Sequence, residues 1–208
     1  MLAKEKDLAI ISDEVYEDFV YSGTQVPSIA TLNDDAKNRT IVINSVSKTF
    51  AMTGWRIGYL ACDVALAKTI TNWQSHSTSN PNSIAQAAAA AALTGSWDCV
   101  ERMVAAFDTR RQRMVDMLNR MPGVHCPTPP GAFYCLPDLS ELMGKSYHGR
   151  RIENDEDFAT VLLEEKAVAV VPGGGFGAKN HVRLSYALDL KSLEKGLSRM
   201  AEFVSELS

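Results

Sequence analysis

Ser45-Val46-Ser47-Lys48-Thr49-Phe50-Ala51-Met52-Thr53-Gly54-Trp55-Arg56 is the stretch on which the reading of this chain turns. One lysine follows the β-branched run Ile41, Val42 and Ile43, with hydroxyl side chains on both sides of it and an arginine at position 56. An uninterrupted β-branched run reads as a buried strand, so the lysine that follows is oddly placed for a merely solvated charge. Buried lysines are rare without a partner or a task. A desolvated lysine near other cations gives up its proton more easily and becomes a nucleophile able to form a Schiff base. Ser45, Ser47 and Arg56 add hydroxyl donors and a fixed positive charge, which together suit a phosphate. An amine-reactive centre beside a phosphate site points to pyridoxal phosphate. An ordinary strand-to-helix turn with a surface lysine is the plain alternative.

Upstream, Leu8-Ala9-Ile10-Ile11 is a short apolar run, expected to form a strand buried on both faces. Ser12-Asp13-Glu14-Val15-Tyr16 follows directly. In open α/β sheets ligands collect beyond the carboxyl ends of strands, so Asp13 stands where a site residue is expected. A carboxylate there would keep a pyridine nitrogen protonated and strengthen the ring as an electron sink. Capping a helix is the competing use of Asp13. A paired-acid role with Glu14 is weakened because neighbours on a strand point to opposite faces.

Residues 1–6 read as the tail of a helix, and 21–38 as a polar loop with one short helix. Strands are expected at Thr40–Asn44 and Ile57–Ala61, and an amphipathic helix at Val64–Ser75 with apolar residues at 64, 66, 67, 70 and 73. A polar loop with His76 as a hydrogen bonder precedes an alanine-rich helix over Ala85–Leu93, which reads as a closely packed element. Trp97–Met121 is the clearest long helix, ended by Pro122-Gly123, with Arg110, Arg111 and Arg113 read as a solvated face. Further strands are expected at Gly131–Leu136, Val168–Val171 and Val182–Ala187, with helices at Glu156–Lys166 and Leu190–Leu207 and an irregular stretch over 140–154. Gly173-Gly174-Gly175-Phe176-Gly177 lacks the lysine-serine ending of a P-loop and reads instead as a flexible loop at an active site. Alternation puts Arg183 and Ser185 on one strand face, Val182 and Leu184 on the other. An arginine so placed needs an anion, or a nearby carboxylate on an exposed face.

The segment from Ser45 to Arg56 resembles the cofactor-lysine motif of the class I/II aminotransferases, the fold-type-I pyridoxal-phosphate enzymes. The resemblance implies that Lys48 is the Schiff-base lysine and proton carrier, Ser45 a phosphate-binding hydroxyl and Arg56 the phosphate-binding arginine. It likewise implies that Asp13 pairs with the pyridinium nitrogen, that Tyr16 donates to the ring's phenolic oxygen, and that Arg183 clamps the substrate α-carboxylate. The implied fold is α/β: residues 1–96 are the later part of a large cofactor domain, a mostly parallel sheet with helices. An interdomain helix follows at 97–121, then a small α+β domain at 122–208. The implied activity is amino transfer between an L-amino acid and a 2-oxo acid, of the aspartate or prephenate type, by a homodimer that uses pyridoxal phosphate and no metal. The match runs only through the C-terminal half of such an enzyme. A fragment with an incomplete site, inactive alone and with an open sheet edge, is therefore expected. A non-catalytic protein on the same fold, and a decarboxylase or lyase, are the rival readings.

Composition limits the remaining classes. The chain has 208 residues, 46% of them hydrophobic and 22% charged, which suits one large domain or two small ones. A net charge of −4 gives no basic footprint for nucleic acid. The longest apolar window, Ala85–Leu93, is too short to span a bilayer, and Lys4, Glu5, Lys6 and Asp7 interrupt any apolar leader. The four cysteines are scattered with no C-x-x-C pair, which argues against a zinc site or a disulfide framework and for a reducing cytoplasm.

Overall fold

The computed structural model describes residues 2–21 and 23–208. Met1, part of the helix-tail reading, and Ser22, in the polar loop, lie outside the described residues. The chain divides into two compact units, Met1–Val104 and Ala105–Ser208, with the division falling inside one long helix.

In the first unit a short helix α1 (Leu2–Glu5) leads to strand β1 (Ile10–Asp13), helix α2 (Asp34–Arg39) and strand β2 (Thr40–Ser45). A single turn of helix, α3 (Val46–Thr49), and a 3₁₀ turn at Thr53–Trp55 follow, then strand β3 (Gly58–Ala61) and helices α4 (Val64–Ser77) and α5 (Ser83–Thr94). The order is β1-β2-β3. β1 and β2 run parallel with Asp13 opposite Ile43, whereas β3 returns antiparallel with Gly58 opposite Ser45. The expectation of a mostly parallel sheet is corrected here, because the segment joining β2 to β3 holds one helical turn and no full crossover helix. Each longer helix is started by a side-chain cap: Asp63 accepts from the Ala65 and Leu66 amides, and Asn82 from those of Ile84 and Ala85.

The core of this unit is small. Val46, Ile57, Ala85 and Ala89 form a buried cluster with Phe50 and Met52 packed against it. Two expectations of burial fail. Ile11 is 69% exposed and Leu8 48%, so the apolar run of β1 is not covered on both faces. On α4 the apolar stripe is only partly covered: Ala67 and Ile70 are half-buried, but Val64 is 81% exposed and Trp73 80%. Periodicity identifies an apolar face, but only a second element can bury it. Helix α4 also runs on through Ser77, so His76 is helical rather than part of a loop.

The second unit begins within the long helix α6 (Asp98–Asn119). It contains strand β4 (Tyr134–Cys135), the strands β5 (Ser146–Tyr147) and β6 (Arg150–Arg151), helix α7 (Asp155–Lys166), strands β7 (Val171–Pro172) and β8 (Val182–Ser185), and helix α8 (Leu190–Ser205). Strands β4, β8 and β7 form an antiparallel sheet with β8 in the middle, and β5 pairs with β6 inside the stretch read as irregular. Of the strand expected at Val168–Val171, only Val171 joins the sheet, together with Pro172. Here the core is well filled: Leu118, Ile152, Phe158, Leu162, Tyr186, Met200 and Phe203 are fully buried. Phe203 meets Phe158 edge-on at 5.3 Å and Tyr147 at 4.6 Å. Arg111 corrects the solvated-face reading of α6. It is 3% exposed, paired with Asp108 at 2.6 Å and donating to the Pro129 carbonyl at 2.8 Å. A buried guanidinium needs such partners, and helix spacing put Asp108 one turn away.

Candidate functional site

Two separate groups of the expected site residues occur, one in each unit. In the first, Asp13 ends β1 beside Ile43, and Lys48 lies on α3, directly after the parallel partner β2. The carboxyl ends of the two parallel strands thus bring Asp13 and the lysine turn to the same end of the sheet. Tyr16 follows in the turn after β1, and Lys48 Nζ sits 5.9 Å from the centroid of its ring. Lys48 is half-buried. Asp13 is exposed, and its Oδ1 accepts from the Val15 amide at 3.2 Å, so it shapes a turn rather than capping a helix. The Ser45 hydroxyl oxygen accepts from the Ser47 amide at 3.2 Å as the N-cap of α3, which leaves its own proton to donate.

Arg56 is placed differently. It caps the 3₁₀ turn in the left-handed region at φ 58°, donates to the Thr53 carbonyl at 2.9 Å, and lines an open depression with Trp55, Asn82 and Ile84. Ala51, at φ 54°, is a second left-handed non-glycine residue in the same loop. Each such residue costs about 1–2 kcal/mol. Strain of this kind gathers where side chains have to be aimed.

The residues that hold this end together are not the ones that the motif names. Thr49 Oγ1 donates to Asp18 Oδ2 at 2.6 Å, the Asn44 amide donates to Glu17, and Asn44 Oδ1 accepts from the Ser45 amide at 2.7 Å. Glu14 accepts from the hydroxyls of Ser12 and Ser28 at 2.9 and 2.8 Å. The turn that carries Tyr16 is therefore tied to β2 and α3 by polar contacts on both sides of Lys48. Burial and then the neighbouring Asp18 carboxylate push the Glu17 carboxyl above the usual range, against the hydrogen bond from Asn44. Each residue is an ordinary polar residue in sequence. A hydroxyl immediately after the lysine and two acids after Tyr16 were the signals present.

In the second unit β8 alternates as its sequence implies, with Val182 and Leu184 buried and Arg183 and Ser185 on the opposite face. Arg183 packs against two aromatic rings, its Cζ 4.5 Å from the Tyr134 centroid and 4.4 Å from that of Phe176. Cation–π contact engages the guanidinium's charge without using its N–H donors, which stay available to an anion. No carboxylate among the described residues forms an ion pair with it. The glycine run that carries Phe176 holds a hydrogen-bonded 3₁₀ turn, Gly174–Phe176. Tyr134 and Phe176 were missed as site residues, since aromatic residues on a strand or after glycines have many other uses.

The first group, an amine, a phenol, a carboxylate and serine hydroxyls, is the donor set that a phosphorylated pyridine aldehyde requires, with the Arg56 guanidinium close by in the chain. Among the described residues no group of histidine, cysteine and acidic side chains could hold a metal ion, and no helix is long and apolar enough to cross a membrane.

Comparison with known proteins agrees with the motif. The family model for aminotransferase class I and II matches residues 1–200. An aspartate aminotransferase of Streptomyces avermitilis is 44% identical over 204 residues, covering 98% of this chain and 50% of that protein. An aspartate/prephenate aminotransferase of Nitrosomonas europaea is 41% identical, covering 99% and 52%. The crystal structure of the aspartate aminotransferase from Rhizobium meliloti superposes with a TM-score of 0.95 at 40% identity, over 100% of this chain and 52% of that one. The chain spans about half the length of the curated relatives it matches. With a family model covering nearly all of it, the chain belongs to the class I and II aminotransferases.

Proposed function

We propose that this chain is the cofactor- and carboxylate-binding part of a pyridoxal-phosphate-dependent aminotransferase that passes an amino group from an L-amino acid, aspartate or a close analogue, to a 2-oxo acid. The observation that carries the reading is the Lys48 amine over the Tyr16 ring, beyond the carboxyl ends of β1 and β2, with Asp13 on the adjoining strand. Pyridoxal phosphate, when bound, supplies an aldehyde for amine exchange and a ring that withdraws electrons from the substrate's α-carbon. Lys48 Nζ is the group that takes and returns the proton at that carbon. Asp13 holds the proton on the ring nitrogen, Tyr16 donates to the ring oxygen, and Ser45, Ser47 and Arg56 bind the phosphate. Arg183 binds the substrate α-carboxylate through its paired N–H donors. Residues 1–96 act as cofactor domain, 97–121 as connecting helix and 122–208 as small domain, in a cytoplasmic enzyme that works as a homodimer at full length.

The test is borohydride reduction of the chain after incubation with pyridoxal phosphate, followed by peptide mapping. Label on Lys48, lost in Lys48→Ala together with the visible absorbance of the bound cofactor, is the expected result. Label spread evenly over surface lysines, with the absorbance band unchanged in Lys48→Ala, would refute the assignment.

A further inference from the structure

We propose that Asp155 is the positioning residue for Arg183: it pins the glycine turn at two points, and the turn in turn lays the Phe176 ring against one face of the guanidinium. The inference rests on the assignment of Arg183 to the substrate carboxylate. Asp155 is 5% exposed, in the first turn of α7. A buried carboxylate there would ordinarily serve the helix end, but that task is already filled. Asn154 accepts from the Asp157 amide at 2.9 Å as N-cap, and Asp157 accepts from the Glu153 amide at 3.0 Å. Both oxygens of Asp155 are instead used on the turn, Oδ2 accepting from the Gly174 amide at 2.8 Å and Oδ1 from the Asn180 amide at 3.1 Å.

Those two bonds bracket Phe176. The ring is 52% exposed and sits among Gly173, Gly174, Gly175 and Gly177, so neither burial nor stiff backbone fixes it. Gly173 is held closely from the other side: its amide donates to the His181 carbonyl at 2.8 Å, and a Cβ there would come within 2.4 Å of the Ala178 carbonyl oxygen. His181 leads into β8, two residues before Arg183. The turn is thus anchored to α7 by Asp155 and to the start of β8 by Gly173, and Phe176 projects between these anchors onto Arg183 at 4.4 Å. Tyr134, on β4 beside β8, reaches the guanidinium through the sheet itself and owes nothing to Asp155. Asp155 touches no reacting atom. Its role is to set the plane in which Arg183 presents its donors.

The experiment uses the full chain, with isotope labelling of arginine. Ring currents from Phe176 and Tyr134 shift the Arg183 side-chain resonances, and succinate serves as the carboxylate probe. Asp155→Asn keeps the volume but turns an amide N–H toward one of the two backbone donors. The expected result is that Asp155→Asn moves the Arg183 resonances to where Phe176→Leu puts them, with succinate binding about 5–10-fold weaker in both. Arg183 resonances that stay in place in Asp155→Asn while moving in Phe176→Leu would overturn the proposal. Equal succinate binding by wild type and Arg183→Gln would instead sink the carboxylate assignment, leaving the resonance shifts to judge the positioning role independently. If Asp155→Asn does not fold, amide exchange in the wild type decides. Protection of Gly174 and Asn180 above that of unstructured backbone supports the pin, and exchange at unstructured rates overturns it.

Discussion

Thr49→Val isolates one contact that ties the lysine turn to the turn carrying Tyr16. The substitution keeps the shape of a side chain that is 3% exposed and removes only the hydroxyl that donates to Asp18 at 2.6 Å. A hydrogen bond to a charged acceptor contributes about 1.5–3 kcal/mol. Asp18 is only half-buried, so its carboxylate regains water when the donor is lost, and the expected cost falls to about 1–2 kcal/mol. With a urea slope of about 2 kcal/mol/M, the middle of the usual range, the midpoint should drop by about 0.5–1 M. Trp55, Trp73 and Trp97 are the chain's three tryptophans and all lie in the first unit, so their fluorescence reads that unit specifically. Asp18→Ala and the double variant complete a cycle, in which a coupling of about 1 kcal/mol or more is expected. Thr49→Ser, which restores the donor, should recover most of the loss. Additive effects in the cycle, or no recovery with serine, would show that the contact does not hold the turn.

Two further outcomes concern the second unit. Arg111→Met should destabilise it by about 2 kcal/mol in denaturant melts followed by circular dichroism. That is less than the roughly 3–5 kcal/mol of a fully buried broken pair, because Asp108 remains a third exposed; a neutral result would place Arg111 in solvent. Its stability should also be flat from neutral pH to about pH 4 and decline below that, near the ordinary carboxylate range. Burial raises the Asp155 carboxyl, but the N–H bonds from Gly174 and Asn180 outweigh it and hold it below its usual value; Asp138 is held low by Ser140. A carboxyl held low when folded adds stability above its unfolded value and loses it as pH falls through the folded one. Melts at stepped pH check this, and a decline already under way between pH 7 and 5 would contradict it.

How much of the candidate site was legible depended on distance along the chain. Lys48 with its flanking hydroxyls, Asp13 with Tyr16, and the alternation around Arg183 are local patterns, and each stands in the element that its neighbours imply. Helix caps such as Asp63, Asn82 and Asp189 likewise act within one helical turn, although the sequence reading did not single them out. By contrast, the Phe176 ring against Arg183 comes from the glycine turn, and the partners of Asp155 are backbone amides of residues 19 and 25 positions on. No residue type announces such contacts.

Burial divides the same way. The sequence by itself determined where the longer helices and the strands β1, β2, β3 and β8 form, which face of each is apolar, and the family to which the lysine turn points, because these follow from backbone sterics and side-chain period over a few residues; the short pair β5 and β6 was not among them. Only the tertiary structure decided that Ile11 and Trp73 stay exposed, that Arg111 is buried, and that β3 runs against β2. Removing a surface from water takes a second surface brought from elsewhere in the fold, and the pairing of surfaces is a property of the whole chain rather than of any stretch of it.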